Sequence, residues 1–330
     1  MLIPSLVHVD DATRVAETRR LAVTAARAEG MTEHACEEVA IIATEIATNL
    51  LKHARSGEMH ITGLSGIGHP GVEILSIDRG PGVGNLAACM ADGFSSKGTA
   101  GNGLGAISRL SDGFDGYSQP GRGTVLVARK FHDPSHQKTP AWVFGAVSAP
   151  YPGETACGDQ WAVRTTSRGA WVMLADGLGH GILAADAANR AKSAFCAAEL
   201  ASVTAVLEEI HLSLRHTRGA AVAVNLIENT RVRHAGLGNI TAVILGDPRP
   251  QFMVSHNGTA GLERRRIQQF DYALPPNATI VLHSDGLATS WSSESYPGLL
   301  RRHPSVIAGT LYRDATRGRD DVCVLVGRFL

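Results

Sequence analysis

A polar stretch bounded by proline, His132-Asp-Pro-Ser-His-Gln-Lys-Thr-Pro140, interrupts the chain, and the hydrophobic patterns on its two sides differ. No single core is expected to run through such a segment. At about 3.3 Å per residue it reaches no more than roughly 30 Å, so the halves are expected to be close neighbours. The expected division is a domain at 1–131, a linker at 132–140 and a domain at 141–330. A length of 330 residues also favours two domains over one.

Before the break, the pattern predicts a helix from Asp11 to Glu29, with Asp10 or Asp11 as N-cap. A longer helix opens at Thr32 and runs to about His53. Its apolar positions Val39, Ile42, Ile46 and Leu50 recur every three or four residues and so form one buried face. Strands are expected at 58–64, 72–77, 114–118 and 124–131, with short helices at 84–90 and from Leu104 to Leu110. The polar, glycine-rich run 92–103 is expected to be a mobile loop. After the break come strand-like runs at 143–148, 161–165 and 171–174, then helices at 182–200 and 203–216. Further strands at 221–227, 231–236, 241–245 and 280–283, a helix at 304–313 and a last strand at 322–328 complete the reading. Many strands with helices grouped between them indicate an α+β layered domain.

Composition excludes several classes. Lys plus Arg equals Asp plus Glu, at 31 each, which argues against nucleic-acid or membrane-surface binding driven by net charge. The short runs Arg264-Arg265-Arg266 and Arg301-Arg302 read as solvated surface. No apolar stretch is long enough to span a bilayer, and no signal peptide is evident, so a cytoplasmic protein is expected. Cys36, Cys89, Cys157, Cys196 and Cys323 are dispersed without a C-x-x-C pair and read as reduced thiols. The histidines form no H-E-x-x-H pattern, so a zinc site has little support.

Two groups of residues carry chemistry. In the first half, Glu45 and Asn49 stand four apart on one predicted helix, and Lys52, seven from Glu45, shares their face. A carboxylate can orient or deprotonate a hydroxyl, an amide oxygen suits magnesium, and a lysine can neutralise phosphate charge. The helix alone reads equally as an ordinary amphipathic one with a polar outer stripe. Asp78 ends a strand and is followed by Gly80 and Gly82, a setting in which a carboxylate can accept a hydrogen bond from an exocyclic amine while the backbone approaches a flat base. Gly101-Asn102-Gly103-Leu104-Gly105 then supplies free amides beside a helix start, where phosphate binds well. Neither glycine cluster has the spacing of a dinucleotide fingerprint or a P-loop, and each alone is also a tight turn.

In the second half, Asp159, Asp176, Asp285 and Asp320-Asp321 each lie beside a predicted strand end. Separated strand-end carboxylates can converge on two metals, which screen phosphate charge and activate water. Any one of them is also simply a turn residue; the joint pattern is what points to metals.

The first set resembles the GHKL ATPase superfamily, most closely its serine-kinase branch of anti-sigma-factor and stressosome switch kinases (RsbT-like). The matching stretches are 43–54, 76–82, 92–95, 103–107 and 121–125. The resemblance implies a GHKL-type α/β sandwich holding ATP with Mg2+, with Glu45 as catalytic base and Asn49 as magnesium ligand. It makes Asp78, with Gly82 beside it, the adenine reader, Gly103 and Gly105 part of the phosphate lid, and Thr124 a support for the adenine contact. The second set resembles the metal-dependent PPM phosphatases, in the branch of SpoIIE-like and RsbX-like enzymes, through 158–159, 176–181, 234–239, 284–287 and 319–322. That implies a layered antiparallel β-sandwich flanked by helices, with two Mn2+ or Mg2+ held by Asp159, Asp176, the Gly177 carbonyl, Asp285 and Asp320. His180 either protonates the leaving oxygen or is a turn histidine, and His234 and Asn239 are expected to shape a core turn. Cys323 departs from the pattern, since many relatives carry Thr or Ser two places after the aspartates.

Together the resemblances imply a bifunctional partner-switching regulator in stress or sigma-factor signalling. One half would phosphorylate Ser or Thr of a STAS-domain partner; the other would dephosphorylate the same or a related partner. Two alternatives stand beside it: a phosphatase whose first half only senses ATP or binds the partner, and a non-enzymatic anti-sigma binder. The oligomeric state is left open.

Overall fold

The computed structural model describes residues 5–54, 56–65, 69–90, 103–133, 142–246, 249–262 and 266–329. By contact the chain forms two compact units. Unit 1 is Met1–Pro140 with Tyr296–Arg313, and unit 2 is Ala141–Ser295 with Asp314–Leu330. The segment 296–313, expected in the C-terminal domain, therefore falls with the N-terminal one. Most of the 132–140 linker lies outside the described residues.

Unit 1 contains β1 (Ser5–Val9), α1 (Ala12–Ala28), α2 (Glu33–Asn49), β2 (Gly57–Gly63), β3 (Gly71–Asp78), α3 (Leu86–Met90), α4 (Gly103–Leu110), β4 (Gly113–Gln119) and β5 (Gly123–Phe131). Asp11 caps α1, its carboxylate accepting from the Thr13 and Arg14 amides at 2.6 and 3.2 Å. Thr32 caps α2 through the Ala35 amide. The α-helix ends at Asn49, earlier than expected, and a π-helical turn, Leu50–Ala54, comes next. Five strands form an antiparallel sheet in the order β1-β2-β3-β5-β4. One sheet face carries Val72, Ile74 and Ala128, which share a buried cluster with Val39, Ile42 and Ile46 of α2.

Unit 2 contains β6 (Trp142–Ala149), β7 (Asp159–Thr166), β8 (Gly169–Gly177), α5 (Ile182–Ala197), α6 (Val203–Ser213), β9 (Ala220–Ile227), β10 (Arg231–Leu237), β11 (Thr241–Leu245), β12 (Gln251–Met253), β13 (Phe270–Ala273), β14 (Thr279–His283) and, at the C-terminal end, β15 (Val322–Phe329). They form two five-stranded antiparallel sheets, β13-β10-β9-β8-β7 and β12-β11-β14-β15-β6. Helices α5 and α6 cover the first sheet, with Phe195, Leu207 and Ile210 packed against Trp171 and Met173. The molecule is thus a mixed α/β chain of two domains, as the sequence pattern predicted.

Helix α7 (Pro304–Ala315) explains a feature of unit 1. Strand β3 is buried along nearly its whole length, not on alternate residues, as expected of a strand covered on both faces. Its second face carries Glu73, Leu75 and Ile77, in register with Arg129, Val127 and Val125 of β5. Residues of the 296–313 segment pack here. A Cβ on Gly309 would stand 2.9 Å from Val125 Cγ1 and 3.3 Å from Ile77 Cδ1, so glycine lets helix and sheet approach closely. Ser305 Oγ donates to the buried Glu73 carboxylate at 2.7 Å, which also accepts from Arg129 Nε at 2.6 Å.

Candidate functional site

In unit 1, α2 presents Glu45 and Asn49 one turn apart, and Gly103 opens α4 against them. A Cβ at Gly103 would lie 3.3 Å from both Glu45 Oε2 and Asn49 Oδ1. The Asn49 amide nitrogen is buried and has no hydrogen-bond partner among the described residues. These three residues are brought together as the i, i+4 spacing requires. Gly105 is buried within α4, and Leu104 packs against the α1–α2 core cluster. Lys52 is exposed and lies in the π-helical turn, where the wider winding no longer keeps a residue seven places on above Glu45. Gly101 and Asn102, with most of the loop expected to be mobile, lie outside the described residues.

Asp78 ends β3. Its Oδ1 accepts from the Gly80 amide at 2.7 Å and the Thr124 amide at 3.2 Å. Burial pushes its pKa up, opposed by those two N–H groups and by the Arg313 guanidinium. Gly82 has φ +63°, and a side chain there would run into the Gln119 carbonyl, so backbone packing alone demands glycine. Thr124 Oγ1 lies 3.0 Å from Ser118 Oγ, which also accepts from the Val83 amide. Ser118 went unnoticed in the sequence because nothing in a strand pattern marks a serine that ties two turns together.

In unit 2, Asp159 and Asp176 face each other across the β7–β8 pair. Asp159 is 1% exposed; its Oδ2 accepts from Ser284 Oγ at 2.6 Å, while Oδ1 is buried without a partner among the described residues. The Asp285 charge acts on Asp176, and Asp285 Oδ2 accepts from Asn239 Nδ2 at 2.8 Å. Asp320 and Asp321 precede β15. Asp321 is buried, accepts from the Tyr151 amide at 2.8 Å and has a second buried oxygen with no partner among the described residues. Gly177 sits where a Cβ would clash with the Ala184 backbone. The expected carboxylates therefore gather in one region.

Electrostatics show how closely. Burial, then the charges of Asp285, Asp320 and Asp321, push Asp176 up to about 7. Asp159 is raised well above the usual carboxylate range by burial and by Asp176, with Ser284 opposing. Like charges crowded into a buried place favour protonation or a cation between them. Among the described residues, no group of three or more His, Cys, Asp or Glu side chains stands in place to hold a metal ion. The donor set still fits a hard divalent ion: it is all oxygen, it carries an excess of negative charge, and the buried Asp159 Oδ1 meets no donor among the described residues.

His180 lies on the Gly177–Gly181 connection. Its Nδ1 is 3.2 Å from Glu154 Oε1, and its ring stacks on Tyr151 at 4.5 Å. His234, expected in a core turn, is fully buried in β10 and bonded to Asn225. Asn239, expected to share that role, instead holds Asp285. Ser284 and Asp321 also emerge as supports for the carboxylates. Ser284 accepts from the Cys323 amide at 2.9 Å, so the Cys323 position contributes backbone to the site.

Comparison with known proteins agrees with both halves. Residues 9–130 match the histidine kinase-like ATPase domain family. The serine/threonine-protein kinase RsbT of Bacillus subtilis (strain 168) is 36% identical over 88 residues, 27% of this chain and 66% of RsbT, so just under two thirds of that relative's length is spanned. A solved structure from the bacterial stressosome, described as a modular system adapted to control secondary messenger signaling, aligns with a TM-score of 0.54 at 24% identity, covering 57% of this chain and 100% of its own. RsbX in complex with magnesium aligns with a TM-score of 0.52 at 18% identity, covering 59% of this chain and 98% of RsbX. At these identities the likeness shows the fold, a PP2C-like layering of antiparallel sheets. Residues 166–330, half of the chain, match the Stage II sporulation protein E model, and the chain belongs to the SpoIIE family, with a histidine kinase-like ATPase domain ahead of that region.

Proposed function

We propose that unit 2 is a metal-dependent phosphatase acting on phosphoserine or phosphothreonine, and that unit 1 binds Mg-ATP and phosphorylates Ser or Thr of a partner. The observation that carries the first part is the group Asp159, Asp176, Asp285 and Asp320, in which the buried Asp159 Oδ1 has no donor among the described residues. These four carboxylates and the Gly177 carbonyl would hold two Mn2+ or Mg2+. Bound there, the ions would neutralise phosphate charge and lower the pKa of an attacking water. Ser284 and Asn239 orient Asp159 and Asp285, so the ligands meet phosphate already aimed. His180, held by Glu154 and Tyr151 at the exposed side, would give a proton to the leaving oxygen.

In unit 1, Glu45 would orient or deprotonate the acceptor hydroxyl, and the Asn49 amide oxygen would take the magnesium of ATP. Asp78, desolvated and held by two backbone amides, would read the adenine amine. The approach of Gly103 to both Glu45 and Asn49 supports a phosphate lid at that point. The likeness to RsbT and to a stressosome structure favours a STAS-domain protein as partner, in a partner-switching pathway. A unit 1 that senses ATP without transferring phosphate is the second reading; the presence of Glu45 beside Asn49 favours transfer, because sensing requires no base.

The test uses the whole protein. Asp176→Ala is expected to abolish manganese-dependent hydrolysis of p-nitrophenyl phosphate; hydrolysis at the wild-type rate would remove the phosphatase assignment. The same variant, incubated with γ-labelled ATP and a captured partner, is expected to label it, and Glu45→Ala to eliminate the label. No label in either protein would leave ATP sensing as the role of unit 1.

A further inference from the structure

Two connections of unit 2 meet beside the candidate metal ligands. One is Gly177–Gly181, which begins at a candidate ligand and carries His180. The other, 214–219, joins α6 to β9. The Leu178 amide donates to the Gly219 carbonyl at 3.0 Å and ties them together. The second connection is itself fixed. Thr217 Oγ1 donates to the Leu214 carbonyl at 2.8 Å and accepts from the Gly219 amide at 3.0 Å. Beyond Gly219, the Ala220 and Ala260 backbones bond each other at 3.0 and 2.9 Å. Arg218 therefore projects from a backbone held on both sides, so little ordering of the loop is needed for it to bind.

Arg218 reaches back over the first connection. A Cβ on Gly179 would stand 3.2 Å from Arg218 Nη1. The residue is exposed and has no hydrogen bond or ion pair among the described residues. Its donors are thus open beside the stretch that links Gly177 to His180. A planar guanidinium with open donors matches two oxygens of a phosphate at once.

Apolar side chains adjoin this cation. Leu178 and Leu262 are each 53% exposed. Both flank Gly219, the first through the bond above and the second with Cγ 3.2 Å from where a Cβ on Gly219 would lie. Ile182 and Leu183, also exposed, follow Gly181 at the start of α5. Of nine large apolar side chains exposed among the described residues, these four gather on or beside the two connections. Single exposed leucines need no explanation, whereas a group of them marks a place where something binds. A free phosphate would use the cation alone. A phosphorylated polypeptide with apolar side chains next to the phosphate would use the cation and the leucines together.

We propose that Arg218, Leu178 and Leu262 form the substrate cradle of unit 2. The guanidinium takes the phosphate of a phosphoserine or phosphothreonine, and the leucines take an apolar side chain beside it in the substrate chain. This rests on the phosphatase reading of unit 2 and adds to it the feature by which a substrate is chosen.

The experiment uses the full chain at saturating manganese with three substrates. One is p-nitrophenyl phosphate. The others are phosphoserine peptides of equal length and charge, with leucine on both sides of the phosphoserine in one and glycine in the other. The wild type is expected to show a kcat/KM roughly tenfold higher for the leucine peptide. Leu262→Ser is expected to bring the two peptides to within about twofold of each other. Arg218→Ala is expected to raise KM for both peptides by roughly tenfold, to change kcat less, and to flatten the rise of KM with salt. Arg218→Lys keeps the charge and loses the fork, and is expected to recover the salt dependence and part of the KM. A general weakening of the fold would neither single out KM nor be mended by lysine.

A wild-type KM in Arg218→Ala would overturn the proposal. So would equal kcat/KM for the two peptides in the wild type, or a preference that survives in Leu262→Ser. A wild-type dimer that Leu262→Ser breaks on size exclusion, with no preference between the peptides, would assign the leucines to a second copy of this chain instead. Failure of the phosphatase reading looks different: the wild type would hydrolyse none of the three substrates, or Asp176→Ala would hydrolyse p-nitrophenyl phosphate at the wild-type rate. Failure of the cradle alone leaves manganese-dependent hydrolysis of p-nitrophenyl phosphate in the wild type and removes only the peptide preference and the Arg218 effect.

Discussion

Asn239 and Ser284 do at residue scale what the proposed metal ligands cannot do for themselves. Each carboxylate has one oxygen tied by a neutral donor, at 2.8 Å for Asp285 and 2.6 Å for Asp159, leaving the other for an ion. Asn239→Ala is expected to raise the manganese concentration for half-maximal hydrolysis by about 10–100-fold, with rate at saturating metal largely kept; a metal titration checks this. His234 gives a pH signature instead. Burial pushes it down to about 4 from its ordinary 6.5, so the folded state prefers the neutral ring. Its contribution to stability is complete above about pH 6.5 and is lost as pH falls from there towards 4, amounting to about 3 kcal/mol. Melting temperature measured across that window should lose this slope in His234→Gln. Much of the residue-scale placement was legible: the i, i+4 pair Glu45 and Asn49 and the strand-end aspartates needed only spacing. The winding at Lys52 was not legible, because nothing in Leu50-Leu-Lys-His-Ala54 announces that a helix has changed from α to π.

Among elements, β3 shows what a hydrophobic pattern can and cannot say. Val72–Ile77 announced a strand, but the burial of Glu73 between two apolar neighbours has meaning only once α7 and Arg129 are in place. The Glu73–Arg129 pair has side chains 5% and 12% exposed and is completed by Ser305. Removing one partner strands a buried charge. Glu73→Ala is therefore expected to destabilise unit 1 by about 3–5 kcal/mol, whereas replacing both by leucine restores most of it; denaturant unfolding of the two variants separates these outcomes. The strands absent from the sequence reading, β1, β12 and β13, are short, and each sits at a sheet edge. Strands β11 and β14 are no longer than five residues yet are legible, because they are nearly continuous buried apolar runs; the edge strands mix exposed and covered residues over too short a length for a period to be recognised.

At the scale of the whole molecule, the break at 132–140 marks a change of hydrophobic pattern, yet sequence order does not assign α7. A helix carries an amphipathic stripe but no address, and only the unfilled face of the β1–β5 sheet indicates where this one belongs. Without 296–313, residues Leu75, Ile77, Val125 and Val127, now each at most 3% exposed, would lose the helix that packs over Val125 and Ile77. Contiguous apolar surface of that kind drives association. A chain truncated after residue 140 is accordingly expected to bind a hydrophobic dye and elute as oligomers on size exclusion, while the full chain does neither at the same concentration. A synthetic peptide of residues 296–313, added in excess, is expected to reduce both signals by refilling the face, and its Gly309→Leu version to leave them unchanged. A monomeric, dye-silent 1–140 fragment would mean that the sheet closes over this face unaided, and that α7 is a passenger on it.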